Sequence, residues 1–252
     1  MKSKAIDRYF KVVTDLLNEV YIRERENIEK AARILADAIE EGRLIHIFGT
    51  GGHSYMGAEE FFYRAGGLIP VNPILDPGVS LAFGALRSTA IERLPGYAQK
   101  VMAFYDLKGG DPIIIVNAYG INSCTIDAAL EAKRRGLKVI AVTSPSFSKQ
   151  IPTSHPARHP TKKNLFEIAD VVIDCHMPYG DAVVEFEGLP QKVAPVSTIL
   201  IAFILGSLTA TTVEILLERG ITPPIWTSSN IPGGDEANRK WIERYKNRIR
   251  HL

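Results

Sequence analysis

A chain of 252 residues, 46% hydrophobic and 23% charged, can bury one large core and has the composition of a soluble globular protein. Its formal net charge of +2 gives no electrostatic case for binding nucleic acid or an anionic membrane. The cysteines, Cys124 and Cys175, lie far apart with no Cys-x-x-Cys, which argues against a disulfide framework or a zinc cluster and fits a reducing cytoplasm.

The first segment, "MKSKAIDRYFKVVTDLL", mixes acids and aromatics and lacks the apolar run of a signal peptide. Ile6, Tyr9, Phe10, Val13, Leu16, Leu17 and Val20 recur at helical spacing, and Ile28, Ala32, Leu35 and Ile39 continue the pattern to Gly42. Residues 3–41 are therefore expected to be helical, with 1–42 an extension preceding a domain over 43–252. From there the pattern alternates. "RLIHIF" (43–48) reads as a strand, "SYMGAEEFFYRAG" (54–66) as a helix closed by Gly66, and "LIPVNPI" (68–74) as a short strand. "DPIIIVNA" (111–118) is a buried strand, "NSCTIDAALEAKRRG" (122–136) a helix, and "LKVIAVTS" (137–144) and "ADVVIDC" (169–175) two further strands. Apolar strands separated by helices argue a doubly wound α/β fold with a parallel sheet covered on both faces.

Between the last two strands, 144–164 is a proline- and serine-rich basic loop of a kind that often belongs to a site. "MPYGDAVVEFEG" places Asp181, Glu185 and Glu187 on a short added hairpin. From Val193 to Val213 there are 21 residues without a charge, the length of a membrane span. The serines and threonines within it, and the lack of a flanking basic cluster, favour a buried helix over 195–217. A loop over 221–235 leads to a closing amphipathic helix with Asp235 as its N-cap.

In an open parallel sheet, ligands bind beyond the carboxyl ends of the strands, where helix N-termini present free N–H groups. The junction "FGTGGHS" is loaded for that role: Gly51 and Gly52 admit a ligand to the backbone, while Thr50 and Ser54 offer hydroxyls to an anion. The plainer reading is a tight turn with Ser54 as N-cap. A Walker A loop is excluded because no lysine lies in 44–99. The dinucleotide pattern fails at Ser54, and the next strand ends without an acid for a ribose, so no cofactor is expected. His155 and His159 are each followed by a proline that excludes a helix there, so their four-residue spacing does not put them on one face and no metal site is expected either. Arg158 and His159 are better anion contacts. His46 lies inside a strand and reads as structural, while His176 follows the last strand at the ligand edge.

The second junction reads "VNAYGINSCTIDAALEAKRRGLKVIAVTS" (116–144). Together the two junctions resemble the SIS (sugar isomerase) domain, in which strand, glycine- and serine-rich turn and helix recur twice. The family's second copy ordinarily runs Ser-x-Ser-Gly-x-Thr/Asn, then Ala-Lys-x-x-Gly and Ile-Ala-Val-Thr; "EAKRRGLKVIAVTS" keeps the later part. Asn117 and Tyr119 stand where the serines before Gly120 belong. The resemblance covers about 45–175, and "HMPYGDAVVEFEG" with "SSNIPGGDEAN" resembles a branch with a long N-terminal helix, related to phosphoheptose isomerase and N-acetylmuramic acid 6-phosphate etherase.

The resemblance implies a flavodoxin-like five-stranded sheet and a phosphate-binding role for Thr50, Ser54 and Ser123, with Asn122 a further candidate and Tyr119 excluded; the loop glycines Gly51, Gly52 and Gly120 join that expected phosphosugar site, and Arg158 and His159 are added from the basic loop as mobile anion contacts. It implies aldose–ketose isomerisation or elimination of a lactyl ether, both of which begin by removing the carbon-2 proton. Glu60 has Arg64 at i+4, an ordinary surface pair. Glu59 shares a stripe with Met56, Phe62 and Tyr63, which would raise its pKa toward a base's range. Glu59 is thus the expected base, and His53 the group that opens a ring or donates to an oxyanion. Asn230 and Glu236 would close the site. A phosphosugar sensor without catalysis, and a structural oligomer with a vestigial site, are the alternatives. The apolar surface of the two long helices argues a homodimer or homotetramer.

Overall fold

In a computed structural model that describes residues 4–252, the apolar runs form one parallel sheet: β1 (Ile45–Gly49), β2 (Val71–Pro73), β3 (Pro112–Val116), β4 (Lys138–Thr143) and β5 (Val171–Asp174). Their order is β2-β1-β3-β4-β5, the flavodoxin-like arrangement. β1 and β3 are buried along their whole length, which is why they read as unbroken aliphatic runs. Alternate side chains feed two cores. Ile114 and Val116 join Ile45 and Ile47 on one face, whereas Ile113 and Ile115 join Phe48 and Val139 on the other.

The first core is closed by α1 (Ala5–Arg23), α2 (Arg25–Glu40), α3 (Gly52–Phe61) and a long late helix; the second by α5 (Tyr97–Met102) and α6 (Ser123–Arg134). The short α4 (Ala85–Glu92) precedes α5, and α7 (Pro145–Gln150) follows β4. The helix expected over 3–41 is divided. At Glu24 the backbone leaves helical geometry (φ −103°, ψ 2°), and the Glu24 carboxylate accepts the Asp174 N–H at the end of β5 (3.1 Å) and meets His176 Nε2 at 3.0 Å. A contact 150 residues away in sequence makes the break, and helical periodicity carries no trace of it.

β6 (Ala182–Phe186) and β7 (Leu189–Pro195) form the antiparallel hairpin, tied to α1 by Tyr9 Oη donating to the Pro195 carbonyl (2.9 Å). Asp181 holds a structural post: its carboxylate accepts the Val196 and Ser197 N–H groups (3.0 and 2.8 Å) at the start of α8 (Ser197–Glu218). α8 has the length and apolarity of a membrane span, yet Leu200, Ile204, Leu208, Ile215 and Leu216 are buried in the first core. α9 (Gly234–Tyr245) starts at Gly234 with Gly233 as its N-cap, so Asp235 sits in the first turn instead of capping it.

Candidate functional site

The connection after β1 runs outward to β2 and the one after β3 runs the opposite way to β4, and a crevice opens between the ends of β1 and β3. It holds a cavity of about 490 Å³, bordered by the first turn of α3, by the N-cap of α6, by α4 and by the segments after β3, β4 and β5. Glycine makes the first junction. A Cβ on Gly49 would collide with the Ser54 carbonyl, and Gly51 has φ +106°, a conformation other residues rarely adopt. α3 is N-capped by Gly51 and α6 by Asn122, and neither cap offers a side-chain hydrogen bond. Two helix N-termini without a side-chain cap therefore border the same cavity.

Gly51, Gly52, His53, Ser54 and Asn122 line this space, five of the positions expected from sequence. Thr50 does not. Its hydroxyl is buried against the Thr125 hydroxyl of α6 (2.6 Å), and its carbonyl accepts from Asn117 Nδ2 (2.6 Å). The Asn117 Oδ1 in turn accepts the Gly120 N–H (2.8 Å). These groups tie the two junctions together: Thr50 is turned inward, and Asn117, which also lines the cavity, is held by both bonds. Gly120, at φ +64°, packs against the Thr143 and Ser148 hydroxyls outside the lining, and Ser123 is buried without reaching the lining.

Arg158 and His159 also depart from expectation. The Arg158 guanidinium is buried and donates to the Ser148 and Ile151 carbonyls (2.6 and 2.7 Å), the Pro152 carbonyl (3.0 Å) and Asn164 Oδ1 (2.9 Å). It holds the 144–164 loop in shape, and burial lowers its pKa. His159 meets Asp127 Oδ1 at 3.2 Å and Thr161 Oγ1 at 2.8 Å, facing away from the cavity. His155, dismissed with the metal reading, is the histidine of this loop that lines the space.

The expected base is displaced as well. α3 begins at Gly52, so Glu59 lies about two turns into the helix, on its exposed face and outside the cavity. Glu60 pairs with Arg64 (3.3 Å) at the surface. His176 is engaged by Glu24, and Asn230 and Glu236 are exposed away from the cavity. His46 is fully buried between Asp111 Oδ2 (3.1 Å) and Asn72 Nδ2 (3.2 Å), a structural post.

The carboxylate that does line the cavity is Glu92, the last residue of α4, set against the backbone of Gly51. Burial pushes its carboxyl up to about 7, with the neighbouring Arg93 pulling the other way. Among the described residues no hydrogen bond to this carboxylate is formed. Arg93 lines the cavity beside it. Sequence reasoning passed over this segment, because "STAIERL" carries no glycine turn or motif and the glutamate's depth comes from packing against residue 51. It also missed Phe147 and Tyr179, which with Tyr119 make an aromatic row. Tyr119 and Phe147 meet edge-on (4.9 Å between centroids), and Phe147 and Tyr179 stack (5.5 Å).

A sequence model described as the SIS domain matches residues 8–144. The UPF0309 protein of Geobacillus thermodenitrificans is 41% identical over 244 residues, covering 97% of this chain and 96% of that one. The UPF0309 protein TTE0306 of Caldanaerobacter subterraneus is 41% identical over 250 residues, covering 98% and 100%. Among solved structures, the phosphoheptose isomerase of Neisseria gonorrhoeae is similar with a TM-score of 0.56 at 17% identity, covering 82% of this chain and 96% of that one. The Vibrio vulnificus NanR protein, complexed with ManNAc-6P, has a TM-score of 0.51 at 13% identity, covering 98% and 70%. At such identities the structural likeness establishes a shared fold.

Proposed function

Because the chain belongs to the SIS-domain family, we propose that its crevice binds a phosphorylated sugar and that Glu92 moves the carbon-2 proton in aldose–ketose isomerisation or a related elimination. The observation that carries this reading is one cavity holding two helix N-termini, Arg93 and a half-buried carboxyl raised to about 7. An N-terminus concentrates partial positive charge and free N–H donors, so a phosphate belongs there. Ser54 and Asn122 flank it, and Arg93 supplies a full countercharge.

Glu92 takes the base's part because a carboxyl titrating near the working pH is both available as carboxylate and basic enough to accept a proton. It removes the proton from carbon 2, electrons move into the carbonyl, and the enediol is reprotonated at carbon 1 or loses a leaving group at carbon 3. His53, exposed at the cavity rim, donates to the carbonyl oxygen. Bound phosphate near Glu92 disfavours a second negative charge, so binding is accompanied by proton uptake and weakens above pH 7.

The test is thermal stabilisation against a panel of sugar phosphates with inorganic phosphate as control, followed by turnover of any sugar that stabilises. A concentration-dependent rise for a sugar phosphate beyond that for phosphate supports the reading; no rise with any member overturns it. A second reading, a sensor that binds without turnover, draws support from Tyr119 standing where the family has serine. Stabilisation without conversion by the wild-type chain would select it.

A further inference from the structure

α6 carries a buried carboxylate outside the cavity lining. Asp127 is 3% exposed and lies about one turn into the helix, between Ile126 and Ala128 of the second core. Its Oδ2 accepts the Gly96 N–H, and its Oδ1 accepts from Gln99 Nε2 (3.3 Å) and meets His159 Nε2 at 3.2 Å. The imidazole is oriented for this contact. Its Nδ1 accepts the Thr161 N–H (3.2 Å), which leaves a proton on Nε2 for Asp127. A carboxylate so deep is tolerated only when its oxygens are satisfied, and both are.

Gly96 and His159 belong to different segments of the crevice border, and each lies four positions beyond a lining residue, Glu92 and His155. In the first segment α4 ends at Glu92, Arg93, Leu94 and Pro95 are exposed, and the Gly96 bond fastens the chain to α6 as α5 begins. In the second, the His159 N–H donates to the Ile121 carbonyl (3.1 Å) and the Arg158 N–H to the His155 carbonyl (3.0 Å). The Ala157 N–H donates to His155 Nδ1 (3.2 Å), so the turn that carries His155 and Ala157 to the cavity is tied to His159. A cap for α5 needs only the Gly96 bond; here the other oxygen is committed to the loop after α7. Resting on the reading of the crevice as the sugar-phosphate site, we propose that Asp127 is a positioning residue. By holding Gly96 and His159 on one carboxylate, it sets the Glu92–Arg93 segment and the His155 turn relative to each other and so the room left for substrate.

The test is Asp127→Ala, read by amide hydrogen exchange at Gly96, Arg158 and His159 and by a carbon-13 titration of the Glu92 carboxyl. Exchange in both segments should be at least about tenfold faster, the scale of a lost hydrogen bond to a charged group. The Glu92 midpoint should fall from about 7 by at least about one pH unit as water reaches the carboxyl. A midpoint that moves while exchange stays as in the wild type is the effect of the lost charge alone and overturns the proposal. Faster exchange with the midpoint still at about 7 makes Asp127 a structural cap and overturns it too. If Asp127→Ala does not fold, Asp127→Asn, with one acceptor in place of two, must release Gly96 or His159; wild-type exchange at both overturns the proposal. Turnover of the sugar phosphate selected by the binding panel should fall about tenfold or more in the variant, the usual result of misplaced groups, and unchanged turnover counts against the proposal. If no sugar phosphate binds the wild-type chain, the reading of the crevice falls, and exchange and titration still decide whether Asp127 sets its geometry.

Discussion

Glu24, buried, and Glu92, half-buried, are both pushed upward by desolvation and come out on opposite sides of the ordinary carboxylate range. At Glu24 the push is outweighed by His176 Nε2 (3.0 Å), Asn27 Nδ2 (2.8 Å) and the Asp174 N–H (3.1 Å), so its pKa ends lowered. Glu92 has only the charge of Arg93 to set against burial, and it rises to about 7. Partners, more than depth, decide whether a buried carboxyl is a structural anion or a group ready to exchange a proton. Glu24 fastens the α1–α2 break to the end of β5, whereas Glu92, among the described residues, lines the crevice without a hydrogen-bond partner.

The contrast is sharpest at Glu92 itself. Glu92→Gln should lower turnover of the sugar phosphate selected by the binding panel by about 10²–10⁴-fold, the usual weight of a general base. Next in size, Glu24→Ala strands His176 and the Asp174 N–H and should cost about 3 kcal/mol of unfolding free energy in a denaturant titration. The pH window of that junction follows from the directions of its shifts. The lowered Glu24 contributes stability above its unfolded value of 4.5 that is lost as pH falls through its folded value. His176 is raised, first by its hydrogen bond to Glu24, so its contribution is complete below 6.5 and is lost as pH rises through its folded value. The wild-type advantage over Glu24→Ala should therefore peak between 4.5 and 6.5.

Glu92 has the opposite sense for an acid. Its raised pKa favours the folded state below 4.5, and that advantage is lost as pH climbs to about 7. Glu92→Gln should thus be more stable than wild type above pH 7, on the order of 2 kcal/mol after allowance for solvent in the cavity. Thr50→Val removes the hydroxyl pair with Thr125 and should cost about 1 kcal/mol, since it strands one buried oxygen. Smallest is Glu59→Gln, on the exposed face of α3: stability within about 0.5 kcal/mol of wild type and unchanged turnover. A large loss of turnover there would return the base to α3.

The sheet was legible because its central strands are buried on both faces and so appear as aliphatic runs between turn residues, as at "PIIIV" and "KVIAVT". The glycine junction was legible for a local reason too, since Gly49 and Gly51 answer to close approach and positive φ. What escaped depends on contacts distant in sequence. The break at Glu24 is made by β5, the Thr50 hydroxyl is turned inward by Thr125, and the Arg158 guanidinium is drawn into its own loop. Glu92 sits in an unremarkable short helix and acquires its character from the junction it packs against. Residue type revealed which groups had chemistry to offer, and only the packing shows which of them face the cavity.

The most direct test of this account is a carbon-13 NMR titration of the side-chain carboxyls, with the Glu92 signal assigned by its disappearance in Glu92→Gln. A midpoint at about 7 is expected, with a further upward shift when a saturating sugar phosphate is added. A midpoint at the ordinary 4.5 would mean that Glu92 is neither desolvated nor poised, and the proposed base would be wrong.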